Sequence, residues 1–489
     1  MPGGGWPPLP ARWGTHPSFV GRDREMATLN DAWTLAAGGA RQVVFIAGEA
    51  GVGKSLLVSE TAVSLHAQQA AVLLGTCVPS IGAPYQPFVE PLTALIAVTE
   101  AGQLPVADSD DAVERRLTCM RIITGAERTT HGHIHDAQST RQLFEACAQT
   151  LLEAAKARPM VLVLEDLHWA GDSALRLLRY LVRQTTESRI LLVATLRTTP
   201  RERFAQLVST VSQLYRLEGV HRIDLGGLTT EEIADYLMLE ARVTPRSARG
   251  PATVLRDQTA GNPFLLREVW RELAARGGLS ALSEVDLRVA PESFRDTVSR
   301  RLDGLPADDR RTVEIAAVIG EEFSLSLLTE VTHQGKPNSD LAALVDAGLA
   351  AGIAVGLIEP ACELDGVYRF PQAMVRHYVL ELMTEHQRAS DNAAAATVLE
   401  EQFPAGDLLV HRLAHHYANA QAVGYADKAV RYLAAAAELT AAALAHHEAA
   451  RLFERAAALA NAQNERDSLR LKAARCLLCS SVQPAWSAE

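Results

Sequence analysis

The chain is short of aromatic residues, which make up 5% of it, although hydrophobic residues account for 48%. That balance is ordinary for a globular protein rich in helices built from alanine and leucine. Cysteine is scarce as well, with six in 489 residues and no paired spacing pattern. This argues against a disulfide framework and for a reducing cytoplasm. There is no basic surplus: the formal net charge of −11 argues against a general nucleic-acid binder, which would normally carry a basic face. Nor is there a long apolar run. The near-apolar run Gly348 to Ile358 has 11 residues and is too short to span a bilayer. The opening MPGGGWPPLPARWGTHPS contains no apolar segment of the kind a signal peptide or anchor needs, so residues 1–18 read as a flexible arm. A chain of this length should hold about three domains.

What is present begins with VVFIAGEAGVGKSLLVSE, Val43 to Glu60, an apolar run passing through glycines into a helical pattern. Gly48, Glu49, Ala50, Gly51, Val52, Gly53, Lys54 and Ser55 fit the phosphate-binding loop G-x-x-x-x-G-K-[ST] at every position. Glycines let successive amides aim at one point and leave room for phosphates, while the following helix contributes the positive end of its dipole. In such a loop Lys54 reaches the β and γ phosphates and the Ser55 hydroxyl ligates Mg²⁺.

A second stretch, VLVLEDLHWAGDS from Val161 to Ser173, runs from four apolar residues straight into two acids. Unbroken apolar residues suit a strand covered on both faces, and acids at its carboxyl end face the crevice of an open α/β sheet. Glu165 and Asp166 can supply the two carboxylates that a nucleotide site needs, one toward Mg²⁺ and one toward the attacking water. We assign Glu165 to the metal, through a water, and Asp166 to the water side. A third strand, ILLVATLR from Ile190 to Arg197, should end beside the same crevice. Arg197 is then a candidate sensor of the γ phosphate, with a simple strand-capping role as its structural alternative.

The pattern divides the chain into an arm (1–18), an ATPase core (19–225), a helical lid (226–290), a winged-helix-like unit (291–400) and tetratricopeptide-like hairpins (401–489). Thr229 or Thr230 caps the first lid helix, and Pro263 opens a later one. Gly304-Leu305-Pro306 breaks two helices, and GVYRF offers a short strand. The hairpin region spaces small residues at three and four and holds two hairpins at most, fewer than the roughly three units that bury a repeat array. His131, His133, His135 and Asp136 lack the second half of a zinc spacing, and Cys476 and Cys479 lack a second pair, so neither group reads as a metal site.

Taken in order, FVGRDREM, GEAGVGKS, VLVLEDLHWA, LLVATLR, GNPFLLRE, VIGEEFSLSLL and YRFPQAMVR resemble the motifs of the STAND-class P-loop ATPases. The likeness is to the MalT-like, LuxR-type regulators and to the ATPase modules attached to some nucleotide cyclases. It covers most of Phe19 to Ala460. The resemblance implies an α/β P-loop core with a parallel sheet flanked by helices, then mostly α-helical lid, winged-helix-like and tetratricopeptide-like regions. It also implies a switch that is closed with ADP, and open and self-associating with ATP, answering to a protein or small-molecule inducer. On this likeness Pro263 lies near the adenosine. Gln372 stands where the family has a histidine that contacts phosphate, and Gly171 stands where it has an aspartate, so slow hydrolysis and a weaker hold on ADP are expected. No helix-turn-helix follows Leu459, which sets the expectation of a truncated regulator or of an output through a partner protein. Two alternatives stay open: a nucleotide-binding scaffold without turnover, and a direct DNA-binding regulator. Glu321, Glu322 and Asp303 count against the latter, because they repel phosphates.

Overall fold

The computed structural model describes residues 6, 8–10, 13, 14, 19–78, 84–100, 110–124, 137–198, 205–275, 277–279, 294–333, 340–361, 366–402 and 407–481. Among them, the unbroken apolar runs become the strands of one parallel sheet: β1 (Gln42–Gly48), β2 (Ala71–Thr76), β3 (Met160–Glu165), β4 (Ile190–Leu196) and β5 (Val220–Leu225). The order across the sheet is β2-β3-β4-β1-β5, with every pairing parallel. Val43, Phe45, Leu162, Leu164 and Leu192 point into one core, and Val44, Ile46, Val161, Val163 and Val193 into another. Both faces are therefore covered, which is why these strands show no alternation of apolar and polar residues. Among the described residues seven helices accompany the sheet: α1 (Asp23–Ala37), α2 (Lys54–Ala67), α3 (Val89–Glu100), α4 (Asp110–Thr124), α5 (Ala137–Ala157), α6 (Asp172–Gln184) and α7 (Ala205–Leu214). Because β4 lies between β1 and β3, the carboxyl ends of these three strands are neighbours.

Three helices follow the sheet, α8 (Thr230–Ala241), α9 (Pro245–Thr259) and α10 (Pro263–Ala275). Thr229 is the N-cap of α8 and forms a capping box with Glu232, which ties up two amides that the first turn would otherwise leave unbonded. Next come α11 (Phe294–Asp303), α12 (Ala307–Ile319), β6 (Glu322–Ser324), α13 (Leu325–His333), α14 (Asp340–Ala354), β7 (Glu359–Pro360), β8 (Val367–Arg369) and α15 (Ala373–Leu382). The three short strands form an antiparallel sheet in the order β6-β8-β7, packed with the helices around one core. The break at Gly304-Leu305-Pro306 separates α11 from α12, and GVYRF supplies β8.

The remaining helices, α16 (Glu385–Gln402), α17 (Asp407–Asn419), α18 (Ala426–Ala442), α19 (His446–Leu459) and α20 (Gln463–Ser481), pack each on the next. Ala414, Ala418, Ala436, Ala437, Ala449 and Ala456 line the core shared by α17 to α20, so small side chains set how closely these helices approach. Cys476 and Cys479 sit one turn apart on α20.

One polar knot ties α16 to α17 and α18. The Glu400 carboxylate accepts hydrogen bonds from Tyr417 Oη, Tyr432 Oη and Lys428 Nζ, and the Tyr417 ring stacks on Tyr425 and Tyr432. Burial alone would raise the Glu400 pKa, but the bonds from Lys428 and the two tyrosines prevail and hold it down at about 2. Glu400→Ala is expected to cost at least about 2 kcal/mol, since charge-assisted bonds are the stronger class and two phenols lose their acceptor. The group is ionised more readily folded than unfolded. Its contribution is therefore present above the ordinary carboxylate value and is lost as pH falls toward about 2. Denaturant titrations should show a wild-type advantage at pH 7 that shrinks below pH about 4.5.

Candidate nucleotide-binding site

The loop between β1 and α2 turns through two glycines in the left-handed region, Gly51 at φ 77° and Gly53 at φ 98°. Three of its carbonyls are tied from other parts of the chain. Asn262 Nδ2 donates to Ala50 O at 3.0 Å, the Phe264 amide donates to Gly51 O at 3.3 Å, and Arg22 donates to Val52 O at 3.2 Å. In a trans peptide the N–H points opposite the C=O, so each tie turns the amide of Gly51, Val52 or Gly53 away from its clasp. Those amides, with the N-terminus of α2, form a cradle with the chemistry of a phosphate site. A side chain at Gly51 would push the clasp away, because a Cβ there would stand 2.9 Å from both Asn262 Oδ1 and Phe264 Cβ.

Lys54 opens α2, and its Nζ donates to Gly48 O at 2.9 Å and Glu49 O at 2.7 Å. Burial lowers its pKa to about 8; Asp166 and Glu49 oppose the shift, and Arg197 adds to it. Asp166, Arg197 and Glu49 thus all lie close enough to act on the Lys54 ammonium. Ser55 is exposed on the first turn of α2, where its hydroxyl is open to a ligand.

Glu165 ends β3, buried, with its backbone paired to Thr76 in register and its carbonyl accepting from Cys77 N. Asp166 follows at φ 54°, a conformation uncommon for any residue with a side chain and found at sites where the surroundings hold it. What holds it is Thr195 on β4, whose Oγ1 accepts the Asp166 N–H at 2.9 Å. His168 lies under the pair, buried, with Nδ1 3.7 Å from Asp166 Oδ1. Burial, then the charges of Arg197 and Lys54, lower its pKa to about 3, so it stays neutral at ordinary pH. The donor set fits a magnesium-bound triphosphate: a lysine and amides for the phosphates, with a hydroxyl and carboxylates for a hard cation.

The lid reaches this site through GNP. Pro263 Cγ lies 3.9 Å from where a Cβ on Gly53 would stand, but Asn262 makes the bond, and sequence reasoning passed it over for its neighbour. Asn262 Oδ1 also accepts from Phe264 N at 3.0 Å, so one side chain braces both the helix start and the loop. Asn262→Ala is expected to weaken ATP binding about tenfold, the worth of one such bond, with calorimetry as the check. Arg22 was also missed. It is buried, donates to Gly226 O at 2.7 Å, and its backbone N–H bonds Glu232 of α8. The only signal for it was a charged residue after a glycine in FVGRD. Gln372 is the N-cap of α15, and the core that holds Phe370, Met374 and Val375 also packs against Ala50 of the loop. His131, His133, His135 and Asp136 lie outside the described residues.

Residues 18–193 match the AAA ATPase domain family. Over the whole fold, the chain is similar to the crystal structure of a Signal Transduction ATPase with Numerous Domains (STAND) protein with a tetratricopeptide repeat sensor from Pyrococcus horikoshii. The TM-score is 0.54 at 15% identity, over 98% of this chain and 60% of that one. The chain resembles the STAND class of P-loop ATPases. In sequence it is 24% identical to an uncharacterized protein of Rhizobium meliloti (strain 1021) over 92% of its own length. It spans 43% of that relative and 60% of the STAND structure. The matched family region holds the phosphate loop, the acidic pair and most of β4, while Arg197, Asn262 and Gln372 fall beyond it. No helix among the described residues is long and apolar enough to cross a membrane.

Proposed function

We propose that the chain is an ATP-binding switch with slow hydrolysis, in which Gly48–Ser55 hold the phosphates of ATP or ADP. Lys54 lies against the β and γ phosphates, and Ser55, with Glu165 through a water, holds Mg²⁺. That ion, when bound, draws charge from the phosphate oxygens. Asp166 orients the attacking water, Arg197 senses the γ phosphate, and Pro263 flanks the nucleoside. Gln372 donates a neutral hydrogen bond where the related regulators carry a histidine. Self-association in the ATP form, an inducer, and the finer likeness to MalT-like, LuxR-type regulators belong to the same reading.

The observation that carries it is the triple clasp on the loop. Asn262, the Phe264 amide and Arg22 tie Ala50, Gly51 and Val52 to the lid and to the segment before α1. Ala50 also touches the core of the winged unit. A phosphate that reshapes the loop must then bias the lid and the winged unit, which is the differential interaction a switch requires. The test is small-angle scattering of the purified chain with ADP and with a non-hydrolysable ATP analogue, beside phosphate release with ATP. A larger radius with the analogue and slow release support the switch. Equal radii with no release favour the scaffold.

A further inference from the structure

The turn between α18 and α19 is buried in the ATPase core. Leu444 and Ala445 belong to the same cluster as Tyr85, Phe88, Phe144 and Leu175, and Leu444 is at φ 62°, a backbone state that an L residue keeps only when packing holds it. Just beyond, Glu448 Oε1 accepts two hydrogen bonds from Ser173, from its backbone N–H and from its hydroxyl, both at 2.7 Å. The Tyr85 amide donates to that hydroxyl at 3.2 Å. Ser173 is in the first turn of α6, whose N-cap is Gly171, with no capping bond from its own side chain. The oxygen that an N-cap residue normally supplies to this amide therefore arrives from 275 residues away. Glycine is what leaves room for it, since a Cβ on Gly171 would stand 2.7 Å from Glu448 Oε1. Asp172 and Arg176 of α6, with His446 and His447, line the same small pocket, and His447 Nε2 is 3.9 Å from Asp172 Oδ2.

We propose that Glu448 is a latch: it caps α6 from the hairpin region, and its release frees both the hairpins and the segment that follows the acidic pair. Only Leu167 to Gly171 separate Asp166 from α6, so the cap is coupled to the catalytic end of β3 by one short stretch. The helix N-terminus offers the carboxylate the positive end of its dipole and an amide to bond, while burial, with Asp172 beside it, pushes the Glu448 carboxyl up. The consequence for turnover rests on the switch reading. The contact itself does not, and it is tested on the full chain without nucleotide.

The experiment is hydrogen exchange at residues 171–176 and 444–449, with the scattering radius, for the wild type, Glu448→Ala, Gly171→Asp and the double variant. Glu448→Ala is expected to speed exchange about tenfold in both segments and to enlarge the radius. Gly171→Asp gives α6 a cap of its own and expels Glu448, so it should loosen 444–449 while leaving 171–176 protected. Gly171 has an extended backbone that an aspartate adopts freely, so the variant should fold. The double variant should match Gly171→Asp alone, since the latch is already open. Glu448→Gln, which keeps an acceptor oxygen, should fall between the wild type and Glu448→Ala. Unchanged exchange in Glu448→Ala overturns the latch. So does wild-type protection of 444–449 in Gly171→Asp, or a double variant in which the two effects simply add.

Discussion

Lys54→Ala is expected to lose MgATP binding by more than about a hundredfold while keeping the fold. Truncating one partner of a buried, hydrogen-bonded charge pair costs about 3–5 kcal/mol, and each 1.4 kcal/mol is about tenfold. The ammonium is braced by Gly48 O and Glu49 O, and burial has lowered its pKa to about 8. The sign of the pH dependence follows. Lys54 is charged below that value and loses its proton above it, so wild-type affinity should fall between pH 7 and pH 9, and Lys54→Ala should show no such fall. Stability runs the other way. A lysine held below its ordinary value disfavours the folded chain wherever it is charged, and this deficit fades as pH rises from about 8 toward 10.5. The alanine variant should therefore melt no lower than wild type at pH 7, which separates lost binding from lost structure. Calorimetric titration at pH 7 and pH 9, beside a melting curve, reads both. Undiminished affinity in the variant would remove the phosphate loop from the nucleotide assignment.

The strands were legible because burial on both faces leaves an unbroken apolar run, as in Val43 to Ala47 and Val161 to Leu164. The loop was legible because its glycines and lysine fall at fixed spacing within the eight residues Gly48 to Ser55. The lateral order of strands was not, since nothing in ILLVATL says that it lies between β1 and β3. That order is what lets Thr195 reach the Asp166 amide. β7 and β8 span two and three residues, too few for a period to show, so only GVYRF hinted at this sheet. Contacts across long sequence separations were the least visible. Arg22 meets Glu232 across 210 residues and Glu448 meets Ser173 across 275, and neither leaves a local pattern. Gly171 read as a departure in the sensing segment, whereas in the fold it is the space that a distant carboxylate occupies.

Asp166→Asn is expected to lower turnover by about 10²–10⁴-fold, the usual contribution of a general base, with ATP affinity kept within a few-fold. Asparagine is the informative replacement because it is nearly the shape of aspartate and is one of few residues that accept a positive φ. The bond that fixes this backbone survives, since Thr195 Oγ1 takes the N–H of residue 166 and not its side chain. What changes is charge and basicity. Two electrostatic consequences oppose each other in binding. Removing an anion near the triphosphate favours ATP, while Lys54 loses the acid that most supports its proton and titrates still lower. The loss in affinity should therefore be larger at pH 8 than at pH 7. Thr195→Val supplies the contrast. It keeps the carboxylate but leaves the 166 amide without its acceptor, so turnover should fall by about tenfold, through position alone. Glu165→Gln should instead weaken the dependence of ATP affinity on Mg²⁺ if its carboxylate, buried at the end of β3, serves the metal side as proposed. Single-turnover phosphate release and Mg²⁺ titrations on the three variants separate these roles. Full turnover in Asp166→Asn with none in Glu165→Gln would exchange the two acids, and full turnover in both would leave the water oriented by another group.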